Sequence, residues 1–215
     1  MKLEALKLEQ REIFSKLDKF TNFHLVGGTA LALQIGHRIS VDFDLFSKKD
    51  IPKSLIAKVK RVFRGSKIEN ILNHSEQLIC KVDGIKIDFV KYKFPLILGL
   101  NKFKKVKIIK IPEIAAMKAY TLNYRGTYKD YIDLYFILKD SHTSLEKIKE
   151  ISEKKYKNEF NFRLFLEQLI YLKDIKIEKI EFLEEKVDRE KIEEFFKKEI
   201  RKYKKEIMPA DRKGA

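Results

Sequence analysis

Cysteine occurs once in the 215 residues, as Cys80, which excludes an internal disulfide. With only four histidines beside it, the chain is also poor in ligands for a structural zinc site. The apolar run around it (Leu78-Ile79-Cys80-Lys81-Val82) marks a buried structural thiol. No apolar stretch approaches the roughly 20 residues that a membrane-spanning helix needs. The opening Met1-Lys2-Leu3-Glu4-Ala5-Leu6-Lys7-Leu8-Glu9 is charged throughout and lacks the apolar centre of a secretory signal. A cytoplasmic protein without membrane association is expected. Neither an internal repeat nor a flexible linker interrupts the pattern.

Charge, by contrast, is abundant. Lysine and arginine number 47 against 32 acids, a net +15 that draws the chain toward polyanions in a salt-dependent way. Most of the surplus is lysine, a usage that genome composition or growth temperature also produces. The stretch Lys102-Phe103-Lys104-Lys105-Val106-Lys107-Ile108-Ile109-Lys110 alternates like a strand with a basic face, either a nucleic-acid patch or a solvated strand face. Apolar residues make up 44% of the chain, enough to build a core for one compact domain or two small ones.

Periodicity predicts an amphipathic helix over 3–20, with Leu6, Ile13, Leu17 and Phe20 near one face. A strand over 23–26, a short helix from Gly28 to about Leu33, an acidic strand and a helix over 52–63 follow. Further strands are expected at about 67–73, 77–82, 85–92 and 104–110, with a hairpin turn at Asp83-Gly84. From Pro112 the pattern is helical almost without interruption. Ser144 and Asp188 are placed to cap two of these helices. Phe162, Leu164, Phe165, Leu166, Leu169, Ile170 and Leu172 are expected to bury against the preceding hairpin. The expected fold is α/β, a small mixed sheet flanked by helices and followed by a C-terminal helical bundle. The expected division is a core over 1–110, a helical domain over 111–208 and a tail over 209–215.

The most informative spacing sets Asp42 and Asp44 fourteen and sixteen positions after Gly28 of the Gly27-Gly28 pair. Alternation puts Val41, Phe43 and Leu45 on one strand face and the two aspartates on the other. Their Cα atoms are then about 7 Å apart, at roughly 3.3 Å of rise per residue. Two carboxylates at that spacing can converge on a divalent cation, and hard oxygen ligands favour Mg²⁺ or Mn²⁺ over zinc. A third acid, Asp88, stands between Ile87 and Phe89 on a later strand and leaves the face opposite to theirs.

Gly-Gly, acid-x-acid on a strand and one acid on a later strand together resemble the polymerase β-like nucleotidyltransferases. That resemblance implies a helix opening after the glycines, phosphates lined by Gly27, Gly28 and Thr29, and metal held by Asp42, Asp44 and Asp88. Further along, Lys118 precedes Arg125-Gly126-Thr127-Tyr128-Lys129-Asp130-Tyr131-Ile132-Asp133. Lys118 and Arg125 are seven apart and share a face if the first helix runs that far. Taken alone this is equally an ordinary helical hairpin. Gly-Gly-Thr-Ala-Leu, His-Arg-x-Ser-x-Asp-Phe-Asp-Leu-Phe, the lysine-bearing helix and Arg-x-x-x-Lys-Asp-x-x-Asp, in that order over about 22–140, resemble the AbiEii-type toxin family of toxin–antitoxin and phage-defence systems.

The family resemblance implies nucleotide contacts from Arg38, Ser40, Arg125 and Lys129. It makes Lys118 the cation that neutralises triphosphate and Asp130 a catalytic acid or base. His37 belongs to the basic pair with Arg38, and Asp133 orients neighbours or caps structure. Asp88 matches the wider superfamily; without it at the site, Asp130 supplies the third carboxylate. The implied reaction moves a nucleoside monophosphate from an NTP to an RNA acceptor, the tRNA 3′ end first among candidates, with Mg²⁺ or Mn²⁺ and a possible antitoxin partner. The alternatives are small-molecule nucleotidylation, a kinase-like transfer of γ-phosphate, and a catalytically silent nucleotide-binding module acting through a protein or RNA partner.

Overall fold

The computed structural model describes residues 1–207, so the expected tail over 209–215 lies outside the described residues. The chain divides into two compact units. The first takes in Met1–Lys110 and Ile180–Glu185; the second is Ile111–Lys179 with the chain from Lys186 onward.

The first unit is built on a seven-stranded mixed sheet of order β3-β4-β5-β2-β1-β7-β6. Its strands are β1 (His24–Val26), β2 (Phe43–Ser47), β3 (Ile68–Asn73), β4 (Gln77–Val82), β5 (Ile85–Lys91), β6 (Leu100–Phe103) and β7 (Val106–Ile109). β2 runs antiparallel to β1 and parallel to β5, and β7 runs parallel to β1. On the interior strand β5 the consecutive Ile87, Asp88 and Phe89 are all buried. Three helices complete the unit: α1 (Leu8–Lys16), α2 (Gly27–Ile35) and α3 (Leu55–Val62). α2 carries no charge, and Ala30, Leu31, Ala32 and Leu33 are fully buried, as a helix apolar all round must be. Beneath the sheet Phe89 packs against Phe20 and edge-on against Phe23, each pair with centroids 5.0 Å apart.

The second unit is helical: α4 (Ile111–Leu122), α5 (Tyr128–Lys139), α6 (Leu145–Tyr156), α7 (Phe162–Leu169) and α8 (Arg189–Ile207). The expected caps form. Ser144 Oγ accepts the Lys147 N–H at 3.1 Å, and Asp188 Oδ1 accepts the Lys191 N–H at 2.8 Å. Between α4 and α6 the carboxylate of Glu113 and the ammonium of Lys155 form a buried ion pair at 2.7 Å.

Several expectations differ from what is found. The helix over 3–20 is broken into a 3-10 turn at Leu3–Ala5, α1, and a second 3-10 turn at Leu17–Lys19. Lys7 is extended there, its N–H donating to Gln10 Oε1 at 2.9 Å, while the Gln10 amide reaches the carbonyl of Ser40 at 2.8 Å. That tertiary contact is invisible in a helical wheel. The basic strand over 102–110 is a hairpin, β6 and β7 joined through Lys104 and Lys105 at φ 44° and 68°. Both turn residues are left-handed, a conformation normally advertised by Asn-Gly, so two lysines gave no warning. Val41 stands outside β2 and is exposed. In α7 and just after it, Phe165, Leu169 and Leu172 are buried, whereas Phe162, Leu164 and Leu166 are partly covered and Ile170 is exposed. Among the described residues no helix is long and apolar enough to cross a membrane.

Candidate active site

Gly27 opens α2 with φ +70°, a left-handed conformation that disfavours any side chain. A Cβ there would lie 2.6 Å from Asp44 Oδ2, and one on Gly28 would lie 2.6 Å from Arg38 Nη2 and 3.5 Å from Ser40 Oγ. The two glycines therefore let a carboxylate and a guanidinium approach the first turn of the helix. Val26, the residue preceding that turn, makes no side-chain cap on the first N–H groups of α2.

The loop between α2 and β2 is held in place rather than loosely hung. Thr29 Oγ1 is hydrogen-bonded to Ser40 Oγ at 2.7 Å and to the main-chain carbonyl of Asp42. The His37 carbonyl accepts the Leu183 N–H at 3.1 Å, and the Ile39 N–H donates to Glu181 at 2.8 Å. Arg38 bridges to Phe182 and is itself buried, with Nη1 donating to the Ile39 carbonyl at 3.1 Å. Thr29 and Ser40, expected at phosphates, are buried against each other and fix the backbone that presents Asp42.

Register brings the acids together. On β2, Asp44 stands beside Val26 of β1 on one side and beside Asp88 of β5 on the other. Partners on adjacent strands in register share a face, with strands about 4.8 Å apart. Asp42, two residues before Asp44, lies just outside the strand and is exposed. Asp88 is nearly buried, and the Gln77 amide donates to both of its oxygens, at 2.9 and 3.0 Å. Lys86 Nζ lies 3.5 Å from Asp88 Oδ2. Sequence reasoning missed both partners. Lys86 could have been found, being two residues before Asp88 on the same strand face; Gln77 carried no signal.

These carboxylates offer hard oxygen donors of the kind Mg²⁺ or Mn²⁺ takes. Among the described residues no three acids, imidazoles or thiols are already drawn together as a metal cage. A carboxylate keeps spare lone pairs beside two N–H contacts, so the Gln77 clamp leaves Asp88 able to ligate. Cys80, on β4 beside Ile87, is outside this chemistry. Burial, with the charge of Asp88, pushes its thiol up to about 11.

The second unit holds its own polar cluster. Lys118 Nζ lies 2.8 Å from Asp130 Oδ1 and 2.6 Å from Asp133 Oδ2, and Asp133 is fully buried. The other oxygen of Asp130 accepts from Thr127 N and Thr127 Oγ1 at 3.0 and 2.9 Å, closing a capping box at the start of α5. α4 ends at Leu122, short of Arg125, so the condition for Lys118 and Arg125 to share a helix face is not met; Arg125 is exposed beyond the helix end. Lys129 Nζ lies 3.0 Å from Glu178 Oε2.

Comparison with known proteins gives the chain a family and a fold. The chain is 32% identical over 206 residues to an uncharacterized protein of Aquifex aeolicus (strain VF5), covering 94% of this chain and 98% of that one. In fold it is similar to JHP933 from Helicobacter pylori, with a TM-score of 0.61 at 18% identity over 94% of this chain and 96% of the other. It is also similar to MenT4, a nucleotidyltransferase toxin from Mycobacterium tuberculosis, with a TM-score of 0.52 at 12% identity over 86% and 82% of the two chains. The model of the family described as "Nucleotidyl transferase AbiEii toxin, Type IV TA system" matches residues 11–213, and the chain belongs to that family.

Proposed function

We propose that the protein transfers a nucleoside monophosphate from an NTP to an RNA acceptor, with the tRNA 3′ end as the first candidate. The observation that carries the reading is the placement of Asp44, in register with Asp88 and packed against the glycine that opens α2. Phosphate oxygens would accept from the first N–H groups of α2, where the helix dipole also favours negative charge. Asp42, Asp44 and Asp88 would hold Mg²⁺ or Mn²⁺, which supplies charge neutralisation on the phosphates and acidifies the attacking hydroxyl. The acceptor oxygen forms a bond to the α-phosphorus while the bond to the pyrophosphate oxygen breaks. Pyrophosphate leaves with that electron pair, and the hydroxyl proton passes to Asp88. Arg38, held beside Gly28, supports the phosphates, and Thr29 and Ser40 set the position of Asp42. Lys118, Asp130, Arg125 and Lys129 remain candidates on the family resemblance.

In this reading residues 1–110 are the nucleotidyltransferase core, 111–208 its helical domain, and the protein works in the cytoplasm with a cognate antitoxin as partner. The test is incubation of purified protein with total tRNA, Mg²⁺ and each α-labelled NTP in turn, beside the Asp42→Asn/Asp44→Asn variant. Label in tRNA with the native chain alone is the expected result. No label with any NTP, together with NDP formation from γ-labelled NTP, would replace the reading with phosphoryl transfer; neither product would leave a silent binding module.

A further inference from the structure

The first unit carries a second polar feature away from the carboxylates. A cavity of about 370 Å³ lies beside α3 and the end of β2, lined by Phe20, Ser47, Lys49, Ser54, Lys58 and Arg61. Three cations thus face one small space. Its one acid, Asp50, lies 2.7 Å from Lys91, which is also 3.7 Å from Glu76. Lys58 Nζ sits 5.4 Å from the centre of the Phe20 ring. Among the described residues neither Lys49 nor Arg61 is paired with a carboxylate. The helix beside the cavity adds to the excess, since Lys53, Lys60 and Arg64 are exposed around it and α3 contains no acid.

Topology extends this basic surface. β2 ends where β1 begins, since His24 is opposite Phe46, and β7 runs parallel to β1. The Lys104–Lys105 turn that leads into β7 therefore arrives at the same end of the sheet as Lys48 and Lys49. Lys107 Nζ then donates to the carbonyl of Thr21 at 2.7 Å, one residue before Asn22 on the cavity wall. Three cations against one acid cost self-repulsion unless an anion completes them. Ser47, three residues after Asp44 on β2, lies about 10 Å along the strand at roughly 3.3 Å per residue and, by alternation, on the opposite face of the sheet from Asp44.

We infer that the α3 cavity binds backbone phosphates of an RNA strand on the sheet face opposite Asp44, anchoring the acceptor apart from the carboxylate site. The inference rests on the nucleotidyl-transfer reading for the word acceptor, but the binding itself needs no chemistry. The anionic oxygens would accept from Lys49, Lys58 and Arg61 and from the hydroxyl of Ser54, and contacts of this kind position a strand without reading its bases.

The experiment measures binding of a labelled single-stranded RNA by anisotropy across about 50 to 200 mM salt, without NTP. It compares the native chain, Lys49→Ala/Lys58→Ala/Arg61→Ala, and an equal charge loss on α8, Lys198→Ala/Arg201→Ala/Lys202→Ala. Three lost phosphate contacts should lower the salt slope by about 2 and weaken binding about 100-fold near 0.1 M salt, at about 0.7 per single-strand contact. The α8 variant should bind nearly as the native chain does. Equal losses in the two variants, or an unchanged slope in the cavity variant, would overturn the inference. Titration with tripolyphosphate separates a free small anion from a strand. Its loss in the cavity variant, with RNA binding intact, would likewise overturn the proposal. Asp44→Asn should bind RNA as the native chain does, so failure of nucleotidyl transfer and failure of the anchor are read independently.

Discussion

Replacing Gly27 by alanine should damage activity far more than stability, and the structure supplies its own control. Gly27 and Gly99 have nearly the same φ, +70° and +75°. A Cβ on Gly99 meets nothing within 4 Å, whereas one on Gly27 meets Asp44 Oδ2 at 2.6 Å. Both substitutions force an L side chain into the left-handed region, costing about 1–2 kcal/mol. Gly27→Ala must in addition push Asp44 off its rotamer, for about 0.5–1.5 kcal/mol more. For a chain of this size each kcal/mol lowers the melting temperature by about 2–4 °C, so the two variants should differ by only about 1–6 °C. Activity should separate them sharply, because a carboxylate displaced by about 1 Å can cost about 100-fold in rate. The assay is label transfer at a temperature where both variants are folded by circular dichroism. Equal activity in the two variants would refute the claim that Asp44 must lie against the opening of α2.

Asp42→Asn and Asp44→Asn should each abolish transfer while leaving urea unfolding midpoints nearly unchanged for the exposed Asp42; full activity in the double variant would remove the carboxylates from the chemistry. Lys118→Ala leaves the fully buried Asp133 without its ammonium and should cost about 3–5 kcal/mol, read as a fall in the unfolding midpoint. Adding Asp133→Asn should recover part of that loss, and failure to do so would show that the ion pair is not what is broken. The Cys80 thiol is raised from 9.0 to about 11 in the folded chain, so its neutral form is favoured by folding. That contribution is fully present below the unfolded value and is lost as pH rises through about 11. The native chain should therefore lose more stability than Cys80→Ala between those limits, and it should resist iodoacetamide at neutral pH until denatured.

Local patterns in this chain were readable because each depends on neighbours within a few residues. The Asp83-Gly84 turn, the Ser144 and Asp188 caps and the helix after Gly27-Gly28 follow from backbone preferences of the residues themselves. Where a local rule had no local marker, reading failed. Lys104 and Lys105 turn a hairpin without glycine or asparagine, and the break between Ala5 and Leu8 depends on Gln10 reaching Ser40.

By itself the sequence determined most of the order of elements, the acid-x-acid strand beside a glycine-opened helix, and the basic excess. Only the tertiary structure decided which distant groups meet. Asp44 and Asp88 become neighbours through the register of two parallel strands, and a slip of one residue would turn one of them to the other face. Gln77 reaches Asp88, residues 180–185 close over the loop of Arg38, and Lys155 buries its charge on Glu113, 42 residues away. Periodicity is a property of one element and carries no information about its partner. The choice of partner is made by the burial and pairing of the whole chain, which is why the candidate residues were legible and their contacts were not.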